Sequence, residues 1–174
     1  KFGEGMKSGT ISLSFAWLLL FVVAIGDPLL GTFAMTVASK SKNFIDKLAL
    51  ILVHQRRQLV VRSHGKTAFF TPGGKREPGE TDLQALCREC REELTIDLKP
   101  SSIQPYGVFS APAYGKAPGT EVRMTCYTAD YEGTLQPSAE IEELQWISSD
   151  FDSQQLTASG ILILDDLKAK GLID

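Results

Sequence analysis

The 174-residue chain has little of what marks several common classes of protein. Its formal net charge of -3 gives no basic footprint, which argues against nonspecific binding to a nucleic-acid polymer. It has three cysteines, Cys87, Cys90 and Cys126, too few for a disulfide framework and unable all to pair. Cys87 and Cys90 form a C-x-x-C, but no second such pair and no histidine pair accompanies it, so zinc and redox readings give way to core packing. The two histidines, His54 and His64, flank a hairpin and read as surface turn positions. Internal repeats and low-complexity tracts are missing. Free thiols mildly favour a reducing compartment. The apolar and charged fractions, 43% and 22%, are those of an ordinary globular chain long enough for one sizeable core.

One long apolar run breaks this pattern. Ile11 to Ile25 is almost wholly apolar, between the length of a signal-peptide core and that of a spanning helix. Residues 1–39 are therefore expected to lie outside the domain, as a signal or anchor segment or as non-native upstream sequence; a buried helix is the remaining alternative. Residues 40–174 form the domain. A chain starting near Met35 would be cytoplasmic, whereas retention of residues 11–25 would make it secreted or membrane-anchored.

The domain is organised around the stretch from Gly74 to Ile96. Thr71-Pro72-Gly73-Gly74 is a glycine turn, a charged loop follows, and from Thr81 the residues Leu83, Leu86, Cys87, Cys90 and Leu94 recur at helical spacing. On that helix Glu89, Glu92 and Glu93 stand at i, i+3 and i+4 and share one stripe. Like charges so placed repel unless solvent screens them or a cation neutralises them, and Mg²⁺ favours oxygen ligands of this kind. Arg88 can hold one of the carboxylates by a charge-assisted bond. The carbonyl of Gly73 could approach the same cation because no Cβ intervenes.

In this stretch the chain resembles the Nudix hydrolases. Gly74, Glu80, Arg88, Glu89, Glu92, Glu93 and Ile96 fall in register with the family's signature, while Cys90 stands where an aliphatic residue is usual and Thr95 where a glycine is. The cysteine change should be mild. Thr95 is expected to give a slightly different helix exit, because a β-branched residue disfavours positive φ.

The resemblance implies an α+β domain with the Nudix fold, an α/β/α sandwich around a mixed sheet. It implies hydrolysis of a phosphoanhydride in a nucleoside diphosphate derivative with Mg²⁺, or Mn²⁺, as cofactor. The metal ligands would come from Gly73, Glu89, Glu92, Glu93 and Glu140, and the catalytic group from Arg88, Glu89, Glu92 and Glu93. Glu80 would support the metal shell through water. Glu140 resembles the family's additional acidic residue outside the motif; the bland alternative is a solvated strand end.

Lys75, Arg76, Tyr114 and Arg123 are the candidate substrate-binding residues; for Lys75 and Arg76 a solvated turn competes with phosphate contact. Pro112 is placed like a proline of ADP-ribose-type members and Tyr114 like a tyrosine of dinucleoside polyphosphate members. The two cues contradict each other, and loop composition accounts for both. The expected partner is a small nucleotide, and a homodimer is compatible with the family. The leading expectation is a MutT-like hydrolase of nucleoside triphosphates, including oxidised ones. An ADP-ribose or nucleotide-sugar pyrophosphatase is the alternative within the enzyme class, and a non-catalytic nucleotide-binding module the alternative outside it.

Elsewhere the pattern predicts strands over Leu48 to Val53, Leu59 to Arg62, Thr67 to Thr71, Ile103 to Ser110, Glu121 to Asp130 and Glu140 to Ile147. It also predicts a last helix capped by Thr157 or Ser159 and ended by Gly171.

Overall fold

A computed structural model describes residues 43–174, so the expectations for residues 1–39 lie outside the described residues. Among the described residues no helix is long and apolar enough to cross a membrane.

The first strand, β1 (Asn43–Leu50), sorts its side chains by parity. Leu48 and Leu50, with Leu52 beyond the strand, join one apolar cluster, while Ala49 and Ile51 join another. Strict alternation is what a strand buried on both faces produces. A short hairpin follows, β2 (Val53–His54) and β3 (Arg57–Ser63), and β3 repeats the sorting: Leu59 and Val61 face the first cluster and Val60 the second. The hairpin turn places Gln55 and Arg56 in the left-handed region at φ 47° and 59°.

Helix α1 (Asp82–Leu94) contributes Ala85, Leu86, Cys90 and Leu94 to the first cluster. Strands β4 (Ile96–Leu98), β5 (Gln104–Pro112), β6 (Thr120–Thr128), β7 (Tyr131–Gly133) and β8 (Ile141–Ile147) follow. Helix α2 (Ala158–Ala169) then contributes Ile163, Leu164 and Leu167 to the second cluster. The two helices therefore cover opposite faces of the strands, giving an α+β sandwich.

One sheet has the order β1-β6-β5, with β1 parallel and β5 antiparallel to β6; a second has the order β2-β3-β8; β4 and β7 pair separately. The first sheet is thus mixed, as expected. The strand predicted over Thr67 to Thr71 is replaced by isolated bridges, Val61 with Phe70 and Phe69 with Leu156. Its continuation instead serves β1: Leu50 N–H donates to the Pro72 carbonyl and Leu48 N–H to the Gly74 carbonyl, at 2.9 and 2.8 Å. Proline has no N–H with which to extend a ladder, so pairing there runs one way.

The last helix begins as predicted, with Thr157 Oγ1 accepting from Gly160 N–H at 3.2 Å. The exit of α1 differs from expectation. Thr95 sits in the left-handed conformation, φ 58° and ψ 29°, where a glycine would be at ease, so the familiar exit geometry is kept. Its hydroxyl donates to the Thr134 carbonyl at 2.9 Å, and its N–H reaches the Arg91 carbonyl.

Candidate active site

Thr81 starts α1 with a capping box. Its hydroxyl accepts from Gln84 N–H, and the Gln84 side chain accepts from Thr81 N–H at 2.9 Å. The helix register so fixed sends Leu86 and Cys90 into the core and leaves the charged stripe along the edge.

Arg88 organises that stripe. Its Nε and Nη2 donate to the two oxygens of Glu80 at 2.7 and 2.9 Å, a bidentate pair. Nη1 donates to Glu89 at 2.9 Å and to Glu92 at 3.2 Å, and Nη2 also donates to the Lys75 carbonyl at 3.0 Å. The guanidinium holds the Glu80 carboxyl down at about 2, helped by the Glu77 N–H.

Glu93 is in the opposite condition. It is 2% exposed, and its Oε2 accepts a hydrogen bond from Gly73 N–H at 2.7 Å. Burial pushes its pKa up to about 8; the Gly73 bond opposes this, the charges of Glu140 and Glu89 add to it, and Lys47 opposes it.

The glycine turn is shaped by contact. A Cβ on Gly73, at φ +129°, would lie 2.4 Å from the Leu48 carbonyl oxygen, and a Cβ on Gly74 would lie 2.2 Å from the Glu89 carboxylate. Only glycines let the turn lie against β1 and Glu89 together. Among the described residues no hydrogen bond reaches the Gly73 carbonyl, whereas the Gly74 carbonyl is taken by β1.

Glu140 arrives from the other side. The loop before β8 docks on the end of α1, where Gln136 and Ser138 N–H groups donate to the Leu94 and Glu93 carbonyls at 3.1 and 3.0 Å. Ala139 takes φ 51° immediately before Glu140.

Glu89, Glu93 and Glu140 line one cavity of about 450 Å³, together with Gly73, Gly74, Lys75 and Tyr114. The geometry thus brings most of the expected residues together. Arg88 supports the cavity from behind without lining it, and Glu92, its side chain 54% exposed, faces solvent beside Arg88.

Arg76 and Arg123 also lie off the cavity. Arg76 pairs with Asp82 at 2.7 Å, and Arg123 pairs with Asp46 at 2.7 Å and lies 5.8 Å from the centre of the Phe44 ring. Three further lysines line the cavity, Lys47, Lys66 and Lys116. Lys47 was hidden in a strand pattern whose faces are set by pairing with β6; the other two sit in turns that local sequence marks only as turns.

Comparison with known proteins places this site in a family. The NUDIX domain model matches residues 43–151, so the chain belongs to the NUDIX family and is a Nudix hydrolase, an enzyme acting on pyrophosphate bonds of small nucleotide substrates. Among solved structures, the E. coli ORF135 protein is similar at 27% identity and TM-score 0.58, over 75% of this chain and 94% of that one. The MutT protein from Bacillus halodurans is similar at 26% identity and TM-score 0.54, over 69% of this chain and 79% of that one. A putative Nudix hydrolase from Chromobacterium violaceum is similar at 25% identity and TM-score 0.55, over 73% and 78%. No curated protein matches the chain.

Nudix hydrolases generally use divalent metals, and the donors here suit one. A buried carboxylate raised to about 8, facing two further carboxylates across a cavity, is a poor place for negative charge unless a hard cation shares it. Among the described residues no three acidic, cysteine or histidine side chains gather closely enough to make a ready cation cage. Repulsion explains the spread, and Arg88 draws Glu89 and Glu92 toward itself. The fit is therefore one of donor type and charge.

Proposed function

We propose that this Nudix hydrolase is a MutT-like pyrophosphohydrolase that converts nucleoside triphosphates, oxidised ones included, to monophosphate and pyrophosphate with Mg²⁺ or Mn²⁺. The observation that carries the reading is the charge of the cavity: four lysines, Lys47, Lys66, Lys75 and Lys116, against Glu89, Glu93 and Glu140. In a chain of net charge -3 such a concentration of cations needs a reason. A triphosphate, more highly charged, answers it better than the single diphosphate of ADP-ribose or a nucleotide sugar. The similarity to a MutT protein points the same way.

In this reading Glu93 and Glu89, with Glu140 and the Gly73 carbonyl, would hold the cation, and Glu92 would be a further ligand if released from Arg88. Bound there, the cation would supply Lewis-acid charge at the diphosphate. Lys75 and Lys47 neutralise phosphate oxygens. Glu89 takes the proton of the attacking water at a carboxylate oxygen, and Arg88, gripped by Glu80, keeps that carboxylate aimed into the cavity. Glu80 acts through Arg88. Arg76 and Arg123, each in an ion pair off the cavity, have no part in this account.

The test is a product-release screen of the full chain with Mg²⁺ or Mn²⁺ across nucleoside triphosphates, oxidised purine triphosphates, ADP-ribose, nucleotide sugars and dinucleoside polyphosphates. Cation-dependent release of pyrophosphate from triphosphates is expected. Turnover confined to ADP-ribose or nucleotide sugars would overturn the substrate assignment. Nucleotide binding without any turnover would favour the non-catalytic module.

A further inference from the structure

Two turns at the rim of the cavity share one sequence pattern and one geometry. His64-Gly65-Lys66 and Tyr114-Gly115-Lys116 each set an aromatic ring, a glycine and a lysine in succession. In the first, Lys66 N–H donates to the Ser63 carbonyl at 3.1 Å around Gly65 at φ +67°. In the second, Lys116 N–H donates to the Ala113 carbonyl at 3.2 Å around Gly115 at φ +68°. Both are β-turns with a left-handed third residue, a position that favours glycine, and each ends on a lysine.

Both lysines line the cavity that contains Glu89, Glu93 and Glu140. The turns also meet, since the Tyr114 hydroxyl lies 3.3 Å from Thr67 Oγ1. Each has its own anchor. Arg62, held by Glu142 and Glu143 at 2.7 Å each, donates to the Lys66 carbonyl at 3.0 Å, and His64 N–H donates to the Glu140 carbonyl at 3.0 Å. Opposite, Ala113 N–H donates to the Thr120 carbonyl at 2.9 Å and Thr120 N–H to the Ala117 carbonyl at 3.1 Å. Among the described residues neither Lys66 nor Lys116 enters an ion pair.

We propose that these twin turns are an anion clamp that takes the terminal phosphate of the substrate and so lets the enzyme distinguish triphosphates from diphosphates. The proposal rests on the reading above that a polyphosphate occupies the cavity. Two lysines that enter no ion pair among the described residues line one cavity from turns whose backbones are hydrogen-bonded in place. Closing them on a phosphate therefore orders little beyond the side chains. The His64 bond to the backbone of Glu140 ties one arm of the clamp to the acidic wall, so a phosphate held there is in register with the carboxylates.

The experiment compares the full chain with the Lys66→Gln/Lys116→Gln double variant on a nucleoside triphosphate and its matching diphosphate. Thermal melts check that these exposed positions leave the fold intact. The ratio of kcat/KM for triphosphate over diphosphate is expected to fall roughly tenfold in the variant, through KM, as the loss of charge-assisted contacts to one phosphate requires. A ratio that does not change, or equal losses on both substrates, would overturn the clamp while leaving triphosphate hydrolysis standing. If the wild type turns over no triphosphate, the functional reading fails and the clamp is judged by calorimetry with inorganic tripolyphosphate and pyrophosphate. Preference for tripolyphosphate that disappears in the variant supports it, and equal binding by both proteins overturns it.

Discussion

Arg88 donates to acceptors on Glu80, Glu89, Glu92 and Lys75, and a guanidinium in that position cannot be replaced by an ammonium, which lacks the planar fork. The pairing has a sign that pH can read. Glu80 has an ordinary value of 4.5 and a folded value of about 2, because Arg88 first and the Glu77 N–H second favour its charged form. A depressed carboxyl contributes stability that is fully present above the unfolded value and is lost as pH falls through the folded one. The acid limb of stability between about 4.5 and about 2 should therefore flatten in Glu80→Gln, which should also melt below wild type at neutral pH. Melting temperature against pH measures this; superimposable wild-type and variant slopes would remove Glu80 as the contributor. The motif spacing made Glu80 and Arg88 legible as members of one site. It left illegible that Asp82, at the first turn of α1, captures Arg76, and that Asp46 captures Arg123 across a separation of 77 residues. Each capture depends on where the strands and the loop come to rest.

At the scale of the element, α1 shows how a local rule can be met by an unsuitable residue. Left-handed backbone costs a residue with a Cβ roughly 1–2 kcal/mol. Thr95 takes that conformation and recovers part of the cost through its 2.9 Å bond to the Thr134 carbonyl, a contact on the order of 1 kcal/mol. Neighbouring Gly133 is equally constrained, for its Cβ would lie 3.2 Å from the Thr95 carbonyl oxygen. Two substitutions separate the terms. Thr95→Val keeps the branched shape and loses the hydroxyl, so it should cost about 1 kcal/mol, a fall in Tm of about 2–4 °C. Thr95→Gly loses the same bond but relieves the backbone, and should melt within about 2 °C of wild type. A valine variant melting at or above the glycine variant would show that the hydrogen bond does not hold the helix exit. The start of α1 was readable from Thr81 and its apolar spacing. Its exit was not, because the Thr134 carbonyl that rescues Thr95 belongs to a loop far along the chain.

The whole molecule joins these elements into a site through a pairing that no local pattern contains. Parallel β1 and β6 align Ile45 with Val122 and Lys47 with Met124, and all four line the cavity. The strands and the glycine turn could be read from period and composition; which faces would meet could not. That assembly leaves the buried carboxylate of Glu93 beside Glu89 and Glu140, with its charge penalised by burial. A ligand that binds only the folded state stabilises it in proportion to its occupancy, by about 2.7 kcal/mol at a hundredfold excess over Kd. Mg²⁺ or Mn²⁺ is accordingly expected to raise Tm by about 5–10 °C at saturation, reversibly with chelator. Glu93→Gln keeps the shape and the acceptor for Gly73 N–H while removing the charge. The variant should remain folded, lose most of the cation-induced shift, and lose turnover by about a hundredfold or more. A full cation shift with unchanged turnover in Glu93→Gln would place the cation elsewhere. A lost shift with turnover retained would separate cation binding from hydrolysis, and the buried carboxylate would then need another explanation.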